Sequence, residues 1–452
     1  MSDLREAIDH YHSLLTDSLG AETQGQLDDQ LQWRGLFFGE RKITTVLRPR
    51  FFTPELYRYV QDRVRVLMRA FSKTHAAAIA SAEFRQQFGL LDWEEELIQH
   101  DPGFKASSPT GRLDAFFNIE QNQLLFNEYN AETPAAPAYN EVLSDVFLGL
   151  PITRAFLRDY NVRAFPGRPN VLHCLLDAFQ QWRGVHEAPR IAILDWREVP
   201  TYSEFVLFND YFQSQGLESR IIDPRECEYR DGKLIAGDYH ITLIYKRVLI
   251  GELVERGGLN HPVVRAVREG AACMVNPFRC KILYKKASLA VMSDERNAYL
   301  FTAEEQAAIA QHIPWTRWMS ERQSEIQGQP IDLVPWVIEH KDRLVLKPND
   351  EYGGKGIVLG WEVDAEQWAE AVKVALATPY IVQDRISLPS EPYPSFVDGR
   401  VQIYDRLLDT APFVYNDSYM DGCLTRLSTV ALLNVTAGGG STVPTFVVEK
   451  RN

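Results

Sequence analysis

Cysteine is scarce in this 452-residue sequence: Cys174, Cys227, Cys273, Cys280 and Cys423 are scattered, and no two stand in a CxxC spacing. That argues against a disulfide framework or a structural zinc site and fits a reducing compartment. Dense Lys/Arg runs are missing too, and the net charge is −13. A nucleic acid or an anionic membrane surface is therefore disfavoured as a partner, and the substrate side is left to neutral or cationic molecules. No apolar window approaches the length that crosses a bilayer, and the N-terminal MSDLREAIDHYHSLL reads as a polar amphipathic helix without an apolar signal core. The expectation is a cytoplasmic protein. No Ser or Cys stands out as an activated nucleophile.

What is present is 45% hydrophobic and 24% charged, enough to bury a large core in two or three domains. The chain reads as mostly helical to about residue 99. Residues 54–72 carry Leu56, Tyr59, Val60, Val64, Leu67 and Met68 near a 3.6 period. Trp33 and the pair Phe37 and Phe38 precede that helix in a predicted short strand, as core residues without chemistry. Further on, residues 190–195, 220–223 and 240–247 read as strands, with a helix over 203–215 stopped by Gly216. The alternation predicts a small parallel α/β domain. Asp195 and residues 245–247 fall at its strand ends, where open α/β sheets bind ligands and where ordinary polar residues are also common.

Two hairpins carry the chemistry. In RLVLKPNDEYGGKGIVLGW, residues 343–361, the apolar Leu344, Val345 and Leu346 predict one strand and residues 357–361 a second. Gly353, Gly354 and Gly356 at the tip remove the Cβ atoms that keep a backbone away from an anion, Lys355 adds charge there, and Lys347 ends the first strand. An ordinary hairpin with a solvated lysine has the same local appearance. In RLDAFFNIEQNQLLFNEYN, residues 112–130, both halves alternate around a polar turn. Centred on Gln121, that hairpin sets Asp114 opposite Glu128 and Arg112 opposite Asn130, on one face. Facing carboxylates repel unless a cation lies between them, and such oxygens suit Mg²⁺ shared with phosphates; a solvated face of an edge hairpin is the alternative. Lys285 and Lys286 start a predicted helix. Asp364 and Gln367 cap another, with Trp368, Ala371, Val372, Ala375 and Leu376 as its buried stripe, predicted to pack beneath the glycine hairpin. Residues 380–382 form a strand leading to Gln383, and Gly438, Gly439 and Gly440 lie between two further strands.

KPNDEYGGKG with the later IVQDRI resembles the nucleotide-binding half of ATP-grasp ligases. GCLTR followed by LLNVTAGGGST resembles the tail of circularly permuted ATP-grasp proteins, and RLD…NEYNAETP is similar to a pattern of the glutathionylspermidine synthetase catalytic domain. The resemblance runs from about Arg34 to the C-terminus. It implies an α/β (α+β) ATP-grasp fold, circularly permuted, with a helical N-terminal region (1–105), a metal-binding part of the core (106–170), an inserted small parallel α/β pre-ATP-grasp domain (171–275) and an ATP-binding part (276–452). It further implies Mg²⁺ held by Asp114, Glu128 and Asn130. Arg112 and Arg426 would stabilise the transferred phosphoryl group, and Lys286 and Lys347 would contact ATP phosphates. Gly353, Gly354, Lys355 and Gly356 would form a lid, and Gln383 would face adenine.

Two departures touch the acceptor side: NAETP stands where the family has NADTP, and Thr442 and Pro444 replace a common lysine and aspartate. No amidase-like stretch precedes the ligase-like region, which predicts a single activity. The implied reaction joins a small-molecule or peptide carboxylate to an amine through an acyl phosphate, with ATP and Mg²⁺. A nucleotide-binding scaffold without turnover and a kinase-like phosphotransferase are the alternatives. The sequence names neither substrate, neither lysine of the 285/286 pair as the ATP contact, and no oligomeric state.

Overall fold

The computed structural model describes residues 2–351, 354–429 and 440–451. The strand Thr110–Asn118 pairs antiparallel with Gln123–Asn130, and this acidic hairpin forms one edge of the largest sheet. Its neighbours come from the far end of the chain: Ala411–Tyr415 pairs with Thr110–Asn118 and, on its other side, with Tyr419–Ser428. Strand Ser441–Lys450 then joins Tyr419–Ser428 and also takes Arg50–Phe52 in parallel and Tyr160–Arg163 antiparallel. Segments from both ends of the sequence thus share one set of ladders.

The long helix Pro54–Ala80 covers this sheet, with Pro54 at its first turn and Thr53 accepting from the Leu56 N–H. It runs past the expected residue 72 because the alanine-rich 76–80 continues it and Thr74 and Ala78 are also buried. Tyr57, Val64 and Phe71 pack against Leu113, Phe117 and Tyr129 from the apolar side of the acidic hairpin.

The glycine hairpin belongs to a second antiparallel sheet, ordered Thr316–Trp318, Tyr380–Asp384, Leu344–Pro348 and Val358–Leu359 among the described residues. Beneath it lies helix Ala365–Ala377, whose Asp364/Gln367 capping box is formed as expected. Trp368, Val372 and Ala375 pack on Leu344, Leu346 and Val382, with Ala371 and Leu376 partly buried beside them.

The expected parallel sheet is present, in the order Cys273–Val275, Leu243–Lys246, Arg190–Leu194 and Glu218–Ile222. Helix Tyr202–Ser214 connects two of its strands and ends before Gly216, whose φ of 80° closes the turn. An antiparallel meander, Cys227–Arg230, Lys233–Ala236 and Tyr239–Ile241, was not expected; tight turns at Gly232 and Gly237 fold it back. Trp33 is a correction. It ends helix Asp17–Trp33 and is 76% exposed, because Leu27 and Leu31 set the inward face of that helix. Phe37 and Phe38 do form a short strand, half-buried. All five cysteines are buried free thiols, and among the described residues no helix is long and apolar enough to cross a membrane.

Candidate functional site

The acidic hairpin has the register that alternation dictates: Arg112 faces Asn130 and Asp114 faces Glu128, before a bulge between Asp114 and Ala115 shifts the pairing. Leu113, Ala115 and Phe117 point into the core, so the polar set shares the opposite face. Asp114 is nearly buried and held by two guanidiniums. Arg112 donates from Nε and Nη2 to its two oxygens at 2.7 and 3.2 Å, and Arg426 donates from Nη2 to Oδ2 at 2.7 Å. Burial alone would raise the Asp114 carboxyl, but Arg112 and Arg426 outweigh it and keep it well below the usual carboxylate range. Arg112 also donates to the Ala135 carbonyl at 2.9 Å. Arg426 is aimed by Asp409, a buried residue whose carboxylate accepts from the Arg426 backbone N–H and Nε, each at 2.6 Å.

Across the cavity stands Lys347, buried at the end of strand Leu344–Pro348, where its Nζ donates to Gln383 Oε1 at 2.7 Å. The amide nitrogen of Gln383 donates in turn to Thr316 Oγ1 at 2.9 Å. Among the described residues Lys347 makes no ion pair within 4 Å, and burial lowers it from 10.5 to about 8; Lys286 adds to the shift, while Glu128 and Asp114 oppose it. Lys286 reaches the site through Glu128, at 3.0 Å, and donates to the Glu351 carbonyl at 2.7 Å. Lys285 turns the other way, to Glu94 at 2.8 Å and Asp350 at 2.6 Å. Lys286 is thus the member of the pair that pairs with a cavity residue, without lining the cavity itself.

A cavity of about 500 Å³ separates the two hairpins. Arg112, Asp114, Glu128, Asn130 and Arg426 line one side, and Lys347, Gly354 and Gln383 line the other. Gly354 and Gly356 adopt φ of 80° and 74°. A Cβ on Gly356 would lie 2.8 Å from Pro348 Cγ, so a side chain there conflicts with both backbone and neighbour. Lys355 does not reach the cavity wall; its side chain is 79% exposed and lies 3.7 Å from Glu351. Gly353, Gly438 and Gly439 lie outside the described residues. Thr442 pairs across the ladder from Arg426.

For Mg²⁺ the donor set is of the right chemistry. Asp114, Glu128 and Asn130 bring hard oxygens to one wall, and the buried Asn127 Oδ1 and Asn130 Nδ2 beside them have no hydrogen-bond partner. Among the described residues no three His, Cys, Asp or Glu side chains converge into a metal cage, which suits an ion that usually takes one or two carboxylates and completes its shell with phosphates and water.

Sequence reasoning missed Asp409, Asn127 and Tyr284 on the cavity wall. Asp409 had a signal, a lone acid between the apolar Leu407–Leu408 and Ala411–Tyr415 segments; the other two had none. The residue of the NAETP departure, Glu132, does not line the cavity. Glu132 is fully buried and accepts from the Ile250 N–H at 2.6 Å, Lys281 at 3.4 Å and Lys246 at 3.5 Å.

No family model matches the chain. A protein of Frankia casuarinae named "Putative glutamate–cysteine ligase 2-2" is 32% identical over 234 residues, covering 49% of this chain and 25% of its own length. The chain therefore spans about a quarter of that relative. A D-alanyl-alanine synthetase A from Vibrio cholerae aligns at 11% identity over 59% of this chain and 89% of its own, with a TM-score of 0.24 that carries no argument. The structure of a glutathione synthetase-like effector from Globodera pallida aligns over 97% of this chain and 95% of its own, at 12% identity and a TM-score of 0.59. Over nearly its whole length, therefore, the chain shares the fold of that glutathione synthetase-like effector.

Proposed function

We propose that this chain is an ATP- and Mg²⁺-dependent carboxylate–amine ligase with a circularly permuted ATP-grasp core, which forms an amide through an acyl phosphate and releases ADP and phosphate. The observation that carries the reading is the meeting of Lys347, Arg112 and Arg426 with Glu128, Asp114 and Asn130 around one cavity, although the two hairpins are far apart in sequence. A permuted order of motifs, metal-bearing hairpin first and nucleotide-bearing hairpin second, fits that arrangement. The names of its relatives favour an amino-acid or short-peptide carboxylate and an amine.

Phosphoryl transfer asks the protein chiefly for positioning and charge neutralisation. Lys347 and Lys286 would take phosphate oxygens, Gln383 would face adenine, and Gly354 and Gly356 would let the backbone close over the nucleotide. Arg112 and Arg426 would neutralise the group in flight. Asp114, Glu128 and Asn130 would hold Mg²⁺, whose charge would offset that of the phosphates. Arg112 and Arg426 pair with Asp114, and Lys286 pairs with Glu128. Phosphate oxygens offer these cations partners of the same charge, so nucleotide binding exchanges ion pairs rather than burying new charge unpaired.

The test is product analysis. Carboxylate and amine pairs are screened for stimulated nucleotide turnover, and the nucleotide product is identified. ADP and phosphate released together with an amide support the reading. AMP and pyrophosphate would discard the acyl phosphate, and a phosphorylated acid with no amide when amine is present would make the protein a kinase.

A further inference from the structure

The same cavity has a second wall, supplied by the parallel sheet, to which none of the roles above is assigned. From strand Arg190–Leu194 the chain crosses first to Glu218–Ile222 on one side and then to Leu243–Lys246 on the other. The order therefore reverses between Arg190–Leu194 and Leu243–Lys246, and open α/β sheets bind ligands at the carboxyl ends of strands at such a reversal. The residues leaving those two ends are Asp195 and Arg247, and both line the cavity.

Asp195 is 7% exposed. Its Oδ1 accepts the Trp196 N–H at 2.8 Å, and its other oxygen has no partner among the described residues. Glu252, also on this wall, accepts from Trp196 Nε1 at 2.8 Å. One tryptophan thus binds both carboxylates, and neither forms an ion pair among the described residues. The nearby cations have other partners. Arg247 donates to the Pro134 carbonyl, to Tyr245 Oη and to Glu204, while Lys246 donates to Glu132. Burial pushes the Asp195 carboxyl up to about 7, and the like charge of Glu252 adds to the shift. The Trp196 N–H, Arg247 and Lys246 offset that shift only in part, and no cation of the described residues pairs directly with this acid.

We propose that the Asp195–Glu252 corner seats the protonated amine of the acceptor substrate, a primary alkylammonium. Its role as acceptor site rests on the ligase reading; its existence as an ammonium site does not. The corner opens on the cavity that Arg112, Arg426 and Lys347 line, so an amine held there faces the position where an acyl phosphate would form. The net charge of −13 favours approach of a cation.

The test uses n-butylamine as probe, with 1-butanol as its uncharged counterpart, titrated calorimetrically against the full chain and against Asp195→Asn and Glu252→Gln. Glu252→Gln retains an oxygen that can accept from Trp196. The expected result is that the ammonium binds at least about tenfold more tightly than the alcohol, and that either variant loses most of that difference. Equal binding of amine and alcohol to the unaltered protein would overturn the proposal without recourse to any variant, as would folded variants that keep the preference. Mg·ATP is titrated in the same samples. Loss of ATP binding with the amine preference intact would sink the ligase reading and leave the ammonium site standing, and the reverse result would sink the site alone.

Discussion

Lys347 is the residue on which the charge balance of the cavity turns. Its ammonium is buried with an amide oxygen for a partner, and burial holds it at about 8. Because the folded value lies below the unfolded one, the unfolded chain binds the extra proton between about 8 and 10.5. Stability from this group is therefore lowest below pH 8 and rises as pH climbs through that window. Nucleotide phosphates favour the charged form, so Mg·ATP affinity should fall as pH rises through about 8, with proton uptake on binding. Calorimetry in buffers of different ionisation enthalpy measures this, and a pH-independent affinity would remove Lys347 from phosphate contact. Lys347→Ala should weaken ATP binding at neutral pH.

Arg112 predicts a different split. In the proposed reaction its contacts would strengthen as the transferred group loosens, so Arg112→Ala should cut turnover by about a hundredfold or more while ATP affinity changes little. Single-turnover kinetics beside equilibrium binding distinguishes the two; undiminished turnover would refute the role. Asp409→Asn should lower turnover by less and in the same direction, because the amide keeps one accepting oxygen and leaves either the Nε or the backbone N–H of Arg426 without its acceptor.

At the scale of the element, the glycine hairpin is weakly held at its far end. Strand Val358–Leu359 pairs with Val345 and Leu346, and among the described residues the tip is held by Lys286, which donates to the Glu351 carbonyl at 2.7 Å, and by Tyr380 Oη, which donates to the Gly356 carbonyl at 3.2 Å. Closure over a nucleotide would exchange these few contacts. Gly356→Val combines a φ of 74° with a Cβ contact of 2.8 Å and should cost about 1–3 kcal/mol locally. Gly354→Val lines the cavity instead, and should impair nucleotide closure more than folding. Hydrogen exchange of residues 344–359 with and without Mg·ATP reports both. No added protection in the parent would show that the tip does not close, and equal protection in the two variants would show that closure does not need these glycines.

At the scale of the molecule, three parts meet on Glu132. Its carboxylate takes the Ile250 N–H and Lys246 from the parallel-sheet region and Lys281 from the segment before Lys286, and Lys281 in turn donates to Asp350 at the base of the glycine hairpin. Burial would raise the Glu132 carboxyl, but Lys281 and Lys246 pull it below its usual value. Its contribution is present above the ordinary glutamate range and is lost as pH falls through it. Glu132→Ala leaves buried Lys246 without its carboxylate partner, while Lys281 keeps Asp350, and should destabilise by about 3 kcal/mol, read by denaturant unfolding. A change below about 1 kcal/mol would mean that the junction is not a structural centre.

The sequence by itself determined the pairings that depend on near neighbours. Alternation of period two forced Asp114 and Glu128 onto one face of a hairpin. The Asp364/Gln367 box started a helix, and the run of strands and helices over 190–247 made a parallel sheet. The hairpin faces and the cap follow from rules that act along a single strand or turn, and the parallel order from strands alternating with a helix. Tertiary structure alone decided which charges meet. Arg426, aimed by Asp409, reaches Asp114 from the other end of the chain, Lys286 rather than Lys285 turns to Glu128, and Glu132 finds lysines more than a hundred positions away. Trp33 and the meander over 227–241 were decided in the same way. Coulomb and burial energies depend on distance in space, and local periodicity carries no record of it.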